Sequence, residues 1–318
     1  MNVPPTRRRA DGYPDGDPYG LPPPPSPSPA ELCERSASYS RIEAFIGSGS
    51  GDDQRRCDLD RAPLQSNACA VEGFPEPTLF VQQPGDPDPI DAADVRQGIA
   101  GDCFFTAALA AVANTPSGRA LLRAAIAENR GADGQVVSYT VTLHRPATHW
   151  LGFAKTTFEQ VRVTVDAHCY PDKHALPRSQ PGEPHEVWPV VLEKAYAQYA
   201  GGYDAIAHGG YADQVLAVLT GREPAIVSVG PWFGRYKAAD LARDIEAGRA
   251  VVLTTADEYP MLTLQEGHCY TATGVVTVGG RLRVQLYDSL RSSTFTVPIE
   301  ELVRCRGTMT IGSVGVSP

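Results

Sequence analysis

The run Cys103-Phe104-Phe105-Thr106-Ala107-Ala108-Leu109-Ala110-Ala111-Val112-Ala113 carries no charged side chain, and it predicts an apolar helix opening at the cysteine. A second helix is expected from about Ser117 to Glu128, separated from the first by Thr115-Pro116. Apolar and polar positions then alternate at Val136 to Leu143 and Phe158 to Val165, in stretches rich in the β-branched and aromatic residues that suit strands. Helical spacing returns at Val187, Val191, Leu192 and Ala195, which predicts a helix from about Glu186 to Tyr199 ended by Gly201-Gly202. The last third reads as strands at Val251 to Thr255, His268 to Val278, Leu282 to Tyr287 and Thr308 to Val314, with one helix near Ala239 to Glu246. Helices early and strands late predict an α+β fold, not an alternating βαβ one, and no internal repeat is visible.

Composition separates a tail from this folded part. Residues 1–30 hold ten prolines, including Pro22-Pro23-Pro24-Pro25, and read as a disordered Pro-rich tail; residues 31–73 are poor in apolar side chains and read as a loosely structured leader. The expected folded domain is 74–318, with a mainly helical half over 74–220 and a mainly strand half over 221–318. Over the 318 residues, 42% are hydrophobic and 20% charged, proportions of a globular chain. The formal charge of −9 argues against nucleic-acid binding, which needs a basic face, and Arg7-Arg8-Arg9 reads as part of a solvated tail. No signal peptide and no apolar run of membrane-spanning length is evident, so the expectation is a cytoplasmic protein without a membrane partner. Seven cysteines at irregular spacing do not form the framework of a small secreted scaffold, and reduced thiols are expected.

The chemistry concentrates at two places. Backbone N–H groups at a helix start lack intrahelical partners and carry partial positive charge, which favours the thiolate of Cys103. Gly98 and Gly101 are expected to let the chain turn tightly into the helix, and Gln97 stands close enough for its amide to donate to an oxyanion formed at the sulfur. His268 opens a strand beside Gly267 and is the best candidate for a base; the other six histidines lack a comparable apolar frame. Asp288 ends the next strand, where a carboxylate would fix the imidazole tautomer. A two-residue Gly279-Gly280 turn with regular pairing would place His268 and Asp288 on opposite faces of the sheet, so an irregular hairpin is expected, through a three-residue loop or an equivalent bulge. His168, Cys169, His174 and His185 lack the spacing of a zinc motif, and no EF-hand loop is present. Cys33, Cys57, Cys69, Cys169, Cys269 and Cys305 read as structural or incidental, and Trp188, Tyr196, Tyr199, Tyr203 and Tyr211 as packing residues.

Three blocks in this order resemble calpain-type cysteine proteases. They are Leu79-Phe80-Val81 with Asp94-Val95-Arg96-Gln97-Gly98-Ile99-Ala100-Gly101-Asp102-Cys103-Phe104-Phe105; Trp188 to Ala197 with Gly201 to Ile206 and Leu219-Thr220-Gly221; and Gly267-His268-Cys269-Tyr270 with Thr273-Gly274-Val275. The resemblance covers roughly residues 79–310. It implies a papain-like fold, a helical subdomain packed against a strand-rich one with a cleft between. It also implies an endopeptidase acting on protein or peptide, with Cys103 as nucleophile, His268 as acid/base and Gln97 at the oxyanion. Asp288 stands where the family has Asn: the chain has Asp288-Ser289-Leu290-Arg291 in place of Asn-Pro-Trp-Gly, and Phe104 in place of Trp. Calcium is a cofactor implied by the resemblance alone. Two other readings stay open: a Cys/His/Asp acyltransferase of transglutaminase type, with the same chain order, and a catalytically silent binding module.

Overall fold

The computed structural model describes residues 77–82, 85–86, 88–98, 100–147, 157–167, 185–228, 238–256, 263–304 and 308–314. The Pro-rich tail, the leader, and the readings placed on Cys33, Cys57, Cys69, His149, His168, Cys169, His174 and Cys305 lie outside the described residues. In chain order the elements begin with β1 (Pro77–Thr78), α1 (Cys103–Ala113), α2 (Pro116–Ala125), β2 (Ile126–Arg130), β3 (Val136–Ala147), β4 (Thr157–Asp166) and β5 (His185–Glu186). They continue with α3 (Trp188–Ala200), α4 (Tyr203–Ile206), α5 (Ala212–Thr220), β6 (Ala225–Ser228), α6 (Ala238–Glu246), β7 (Ala250–Thr254) and β8 (Cys269–Val278). The last four are β9 (Arg281–Asp288), β10 (Ser293–Pro298), α7 (Ile299–Arg304) and β11 (Thr308–Gly312). Helix and strand are both abundant, as the α+β expectation requires.

Two sheets carry the strands of the interior. Strands β10-β9-β8-β7-β11-β6 form a six-stranded antiparallel sheet, and β2-β3-β4 a smaller three-stranded one. The smaller sheet lies in the half read as mainly helical, and two of its strands, β3 and β4, fall on the alternating stretches expected at Val136 to Leu143 and Phe158 to Val165. Its first strand corrects the expected second helix. Thr115 caps α2 by accepting from the Gly118 N–H at 3.0 Å and Pro116 starts it, but the helix stops at Ala125. Ile126 is extended, buried and paired with Val141. Cross-strand packing of these two side chains outweighs the helical propensity of Ala127 and Glu128.

Because α1 is apolar all round, it can be buried all round. Phe104 through Ala113 are buried, with β7 and β8 on one side and α2, α3 and α5 on others. One apolar cluster joins α1, α3 and α5 to Val252, Cys269 and Tyr287 of the large sheet, while Leu253, Tyr270, Ala272, Val284 and Leu286 point to a second cluster on the opposite face. The alternation along β8 thus turns Cys269 toward α1 and Tyr270 away from it. Polar ties fix the register between helix and sheet: Thr271 Oγ1 donates to the Ala107 carbonyl at 2.7 Å, and Thr106 and Ser289 share a hydrogen bond at 2.8 Å. Of the five aromatic side chains read as packing residues, Trp188, Tyr196 and Tyr199 are buried and Tyr203 packs against the core, whereas Tyr211 is exposed.

The β8–β9 hairpin resolves the parity problem through a bulge. Gly279 and Gly280 have φ of 58° and 75°, the pair of left-handed residues a tight type I′ turn needs, and Val278 pairs with Arg281. The register then slips between Ala272 and Gly274, so that Thr271 faces Tyr287. Beyond the bulge, Asp288 falls opposite Tyr270 and diagonal to His268, on the same face.

Candidate active site

Cys103 is the first residue of α1, and its half-buried side chain lies at the helix end that meets the start of β8. The segment before it is held by the far end of the hairpin: the Tyr287 hydroxyl donates to the Val95 carbonyl at 2.8 Å, and the Gln97 N–H donates to the Ser289 carbonyl at 3.0 Å. Gly101 does not have positive φ, so left-handed backbone freedom is not its reason for being there. Gly101 is needed for contact instead. It exchanges backbone hydrogen bonds with Ala207 and Gly209, both at 3.0 Å, and a Cβ there would sit 2.4 Å from the Ala207 carbonyl oxygen.

His268 is 3% exposed and Asp288 fully buried. His268 Nε2–H donates to Asp288 Oδ1 at 3.0 Å, which leaves Nδ1 as the ring nitrogen free to meet the Cys103 sulfur, a hydrogen-bond partner of the ring. The same Oδ1 accepts from the Leu290 N–H at 3.0 Å and the Arg291 N–H at 3.4 Å, while Arg291 Nε lies 3.7 Å from Oδ2. Tyr270 stands edge-on to the imidazole, ring centroids 4.7 Å apart, and Phe295 packs edge-on against Tyr270. The His268–Asp288 bond is therefore shielded from water although Leu290, two residues beyond Asp288, is 45% exposed. Gln97 is buried beside this turn; its side-chain amide donates to the Ala100 carbonyl at 2.7 Å and its Oε1 has no hydrogen-bond partner. The structure thus brings Cys103, His268 and Asp288 into one row and sets Gln97 in the segment that leads into α1.

The electrostatics follow from the contacts. The hydrogen bond with Cys269 lowers the Cys103 thiol, burial opposes it, and the hydrogen bond and charge of His268 lower it further, to about 4. Burial disfavours the His268 imidazolium, but the hydrogen bonds and charges of Asp288 and Cys103 prevail and raise it to about 9. Burial likewise works against the Asp288 carboxylate, yet His268 and the Leu290 and Arg291 N–H groups hold its pKa below the usual value. Between about 4 and 9 the favoured state is thiolate beside imidazolium.

Two neighbours escaped the sequence reading. Cys269, taken there as structural or incidental, hydrogen-bonds the Cys103 sulfur and contacts Thr254 Oγ1 at 3.3 Å; its own pKa is raised well above the ordinary thiol value by Cys103 and by burial. The signal was available in the alternation, since Cys269 lies two residues from Thr271 on the face that meets α1. Asp102 caps α1 in position only: it is fully buried, neither carboxylate oxygen has a hydrogen-bond partner, and burial, opposed by its own backbone N–H and assisted by Cys103, raises it to about 7. Of the other described histidines, His144 is accounted for by the Val218 carbonyl, 3.2 Å from Nδ1.

A model of the calpain family of cysteine proteases matches residues 76–287, and the chain belongs to that family. It is 26% identical over 216 residues to the calpain-2 catalytic subunit of Bos taurus, covering 63% of this chain and 27% of that protein. It is also 26% identical over 234 residues to calpain-5 of Mus musculus, covering 67% of this chain and 36% of that protein. The match therefore spans between about a quarter and a third of these relatives' length. As to the calcium implied by the resemblance, no group of three or more His, Cys, Asp or Glu side chains among the described residues is arranged to hold a metal ion. No helix among the described residues is long and apolar enough to cross a membrane.

Proposed function

We propose that the chain is a cysteine endopeptidase of papain-like architecture, acting on protein or peptide substrates. The observation that carries this reading is the row Cys103, His268, Asp288, with the sulfur and Asp288 on the two sides of one buried imidazole. In the proposed reaction the Cys103 thiolate attacks a peptide carbonyl carbon. Charge moves to the carbonyl oxygen, where the Cys103 N–H at the helix start and the Gln97 amide are suited to receive it. Gln97 now spends one N–H on Ala100, so the second is the donor for this role. His268, already protonated, gives its proton to the leaving amine as the tetrahedral adduct collapses to a thioester. It then takes a proton from water, which attacks the thioester and frees the acid and the thiolate. Asp288 holds the ring with Nδ1 toward sulfur and favours the imidazolium.

Incubation with a denatured protein substrate tests the reading. Cleavage that is abolished by Cys103→Ala and by His268→Ala is the expected result. Absence of cleavage, with Cys103 also unreactive toward an electrophilic peptide, would assign a silent binding module. Incorporation of a labelled amine into a glutamine-containing protein without chain cleavage would assign an acyltransferase.

A further inference from the structure

We propose that Cys103 and Cys269 form a site of reversible oxidation that closes to a disulfide when a hydroperoxide reaches Cys103. The inference rests on the reading of Cys103 as the reactive nucleophile. Both cysteines are free thiols in one apolar cluster, Cys103 one turn before Ala107 on α1 and Cys269 two residues before Thr271 on β8, the pair that joins helix to strand, and each shifts the titration of the other. Cys103 is half-buried, open enough for a small peroxide; Cys269 is buried behind it at the first position of β8. The approach of the two sulfurs is set by packed elements and not by a loop. Thr271, two residues along β8 on the same face, is tied to α1 at 2.7 Å, and Thr254 on β7 contacts the Cys269 sulfur at 3.3 Å. A thiol in that position matches the arrangement of a resolving cysteine beside a peroxidatic one.

The chemistry balances in two steps. The Cys103 thiolate attacks one oxygen of the hydroperoxide; an S–O bond forms and the O–O bond breaks. The released alkoxide takes the His268 proton and leaves as an alcohol, and sulfur, oxidised by two electrons, becomes the sulfenic acid. The Cys269 sulfur then displaces hydroxide from Cys103: an S–S bond forms, the S–O bond breaks, and the thiol proton leaves with hydroxide as water. An external dithiol returns both thiols by exchange. The disulfide ties up the nucleophile, and it also keeps a second peroxide from carrying Cys103 to the irreversible sulfinic acid.

The test uses the full chain. One portion is alkylated with iodoacetamide at neutral pH to establish that Cys103 reacts; another receives a several-fold molar excess of hydrogen peroxide, enough for the successive oxidations beyond sulfenic acid, then N-ethylmaleimide, and is digested without reductant for mass spectrometry. The expected result is a linked pair of peptides containing Cys103 and Cys269, loss of Cys103 alkylation, and its recovery with dithiothreitol. In Cys269→Ala, and independently in Cys269→Ser, the same exposure is expected to leave Cys103 as sulfinic or sulfonic acid, with no recovery. A Cys103 that alkylates normally in the native chain, yet emerges from peroxide as sulfinic acid or joined to a different cysteine, overturns the inference while leaving the proposed protease intact. A Cys103 inert to alkylation before any peroxide overturns both.

Discussion

Replacing Asp288 by Asn separates the charge of the acceptor from its geometry. Oδ1 receives three N–H groups, from His268 at 3.0 Å, Leu290 at 3.0 Å and Arg291 at 3.4 Å, and an amide oxygen in its place keeps all three. What disappears is the negative charge, and the new NH2 group takes the Oδ2 position, 3.7 Å from Arg291 Nε, where two donors then face one another. A hydrogen bond involving a charged group contributes about 1.5–3 kcal/mol and a neutral one about 0.5–1.5 kcal/mol, a difference of about 1–1.5 kcal/mol. At about 1.4 kcal/mol per pH unit that lowers His268 by about one unit, starting from a value near about 9. The Cys103 thiolate keeps the remainder of the elevation. The assay is an NMR titration of the imidazole carbons, with His268→Ala to assign the resonance. Linkage gives a second readout. The raised His268 contributes stability that is fully present below about 6.5 and is lost as pH rises through about 9, so Asp288→Asn lowers the urea midpoint at neutral pH and converges on the parent above about 9. An unmoved His268 titration in the variant would refute the assignment of Asp288 as the charge that holds the imidazolium.

Thr271→Val keeps the shape of a fully buried side chain but removes the hydroxyl that ties β8 to the Ala107 carbonyl. Urea unfolding is expected to show a loss of about 1 kcal/mol. For Asp102, the native state holds its proton up to about 7 while an ordinary aspartate loses it near 3.8, so stability falls as pH rises between these values. Asp102→Asn is expected to flatten that dependence, whose slope reaches at most about 1.4 kcal/mol per pH unit, in urea midpoints measured across the range.

How far the sequence could be followed depended on whether a feature was local. An uncharged run bounded by Thr115-Pro116 leaves little choice, and α1 has the bounds expected for it, Cys103–Ala113. Side-chain parity is equally local in its logic: a Gly-Gly turn forces a defect if His268 and Asp288 are to share a face, and the bulge between Ala272 and Gly274 is that defect. The bulge position was not legible, because it depends on how Gly274 meets Gln285 across the pair. β2 was misread because Ala127 and Glu128 favour helix while the pairing of Ile126 with Val141 is formed across the chain. β10 went unread; Ser293 to Pro298 is short and largely hydroxylic, and becomes a strand by pairing with β9. The contact of Cys269 with Cys103 is longer-range still, since it requires the helix to be laid on the sheet before the two thiols meet. Gly101 illustrates a right residue read for the wrong cause: the glycine serves the approach of Ala207.

The central claim is that Cys103 is ionised at neutral pH by its place beside Cys269 and His268, and the pH dependence of its alkylation measures this most directly. With the thiol near about 4 and the imidazole near about 9, the rate constant for iodoacetamide, read by mass spectrometry at Cys103, is predicted to stay flat from about pH 5 to about pH 8. A rate that climbs roughly tenfold per pH unit through that interval, as for a thiol with no partner, would contradict the account.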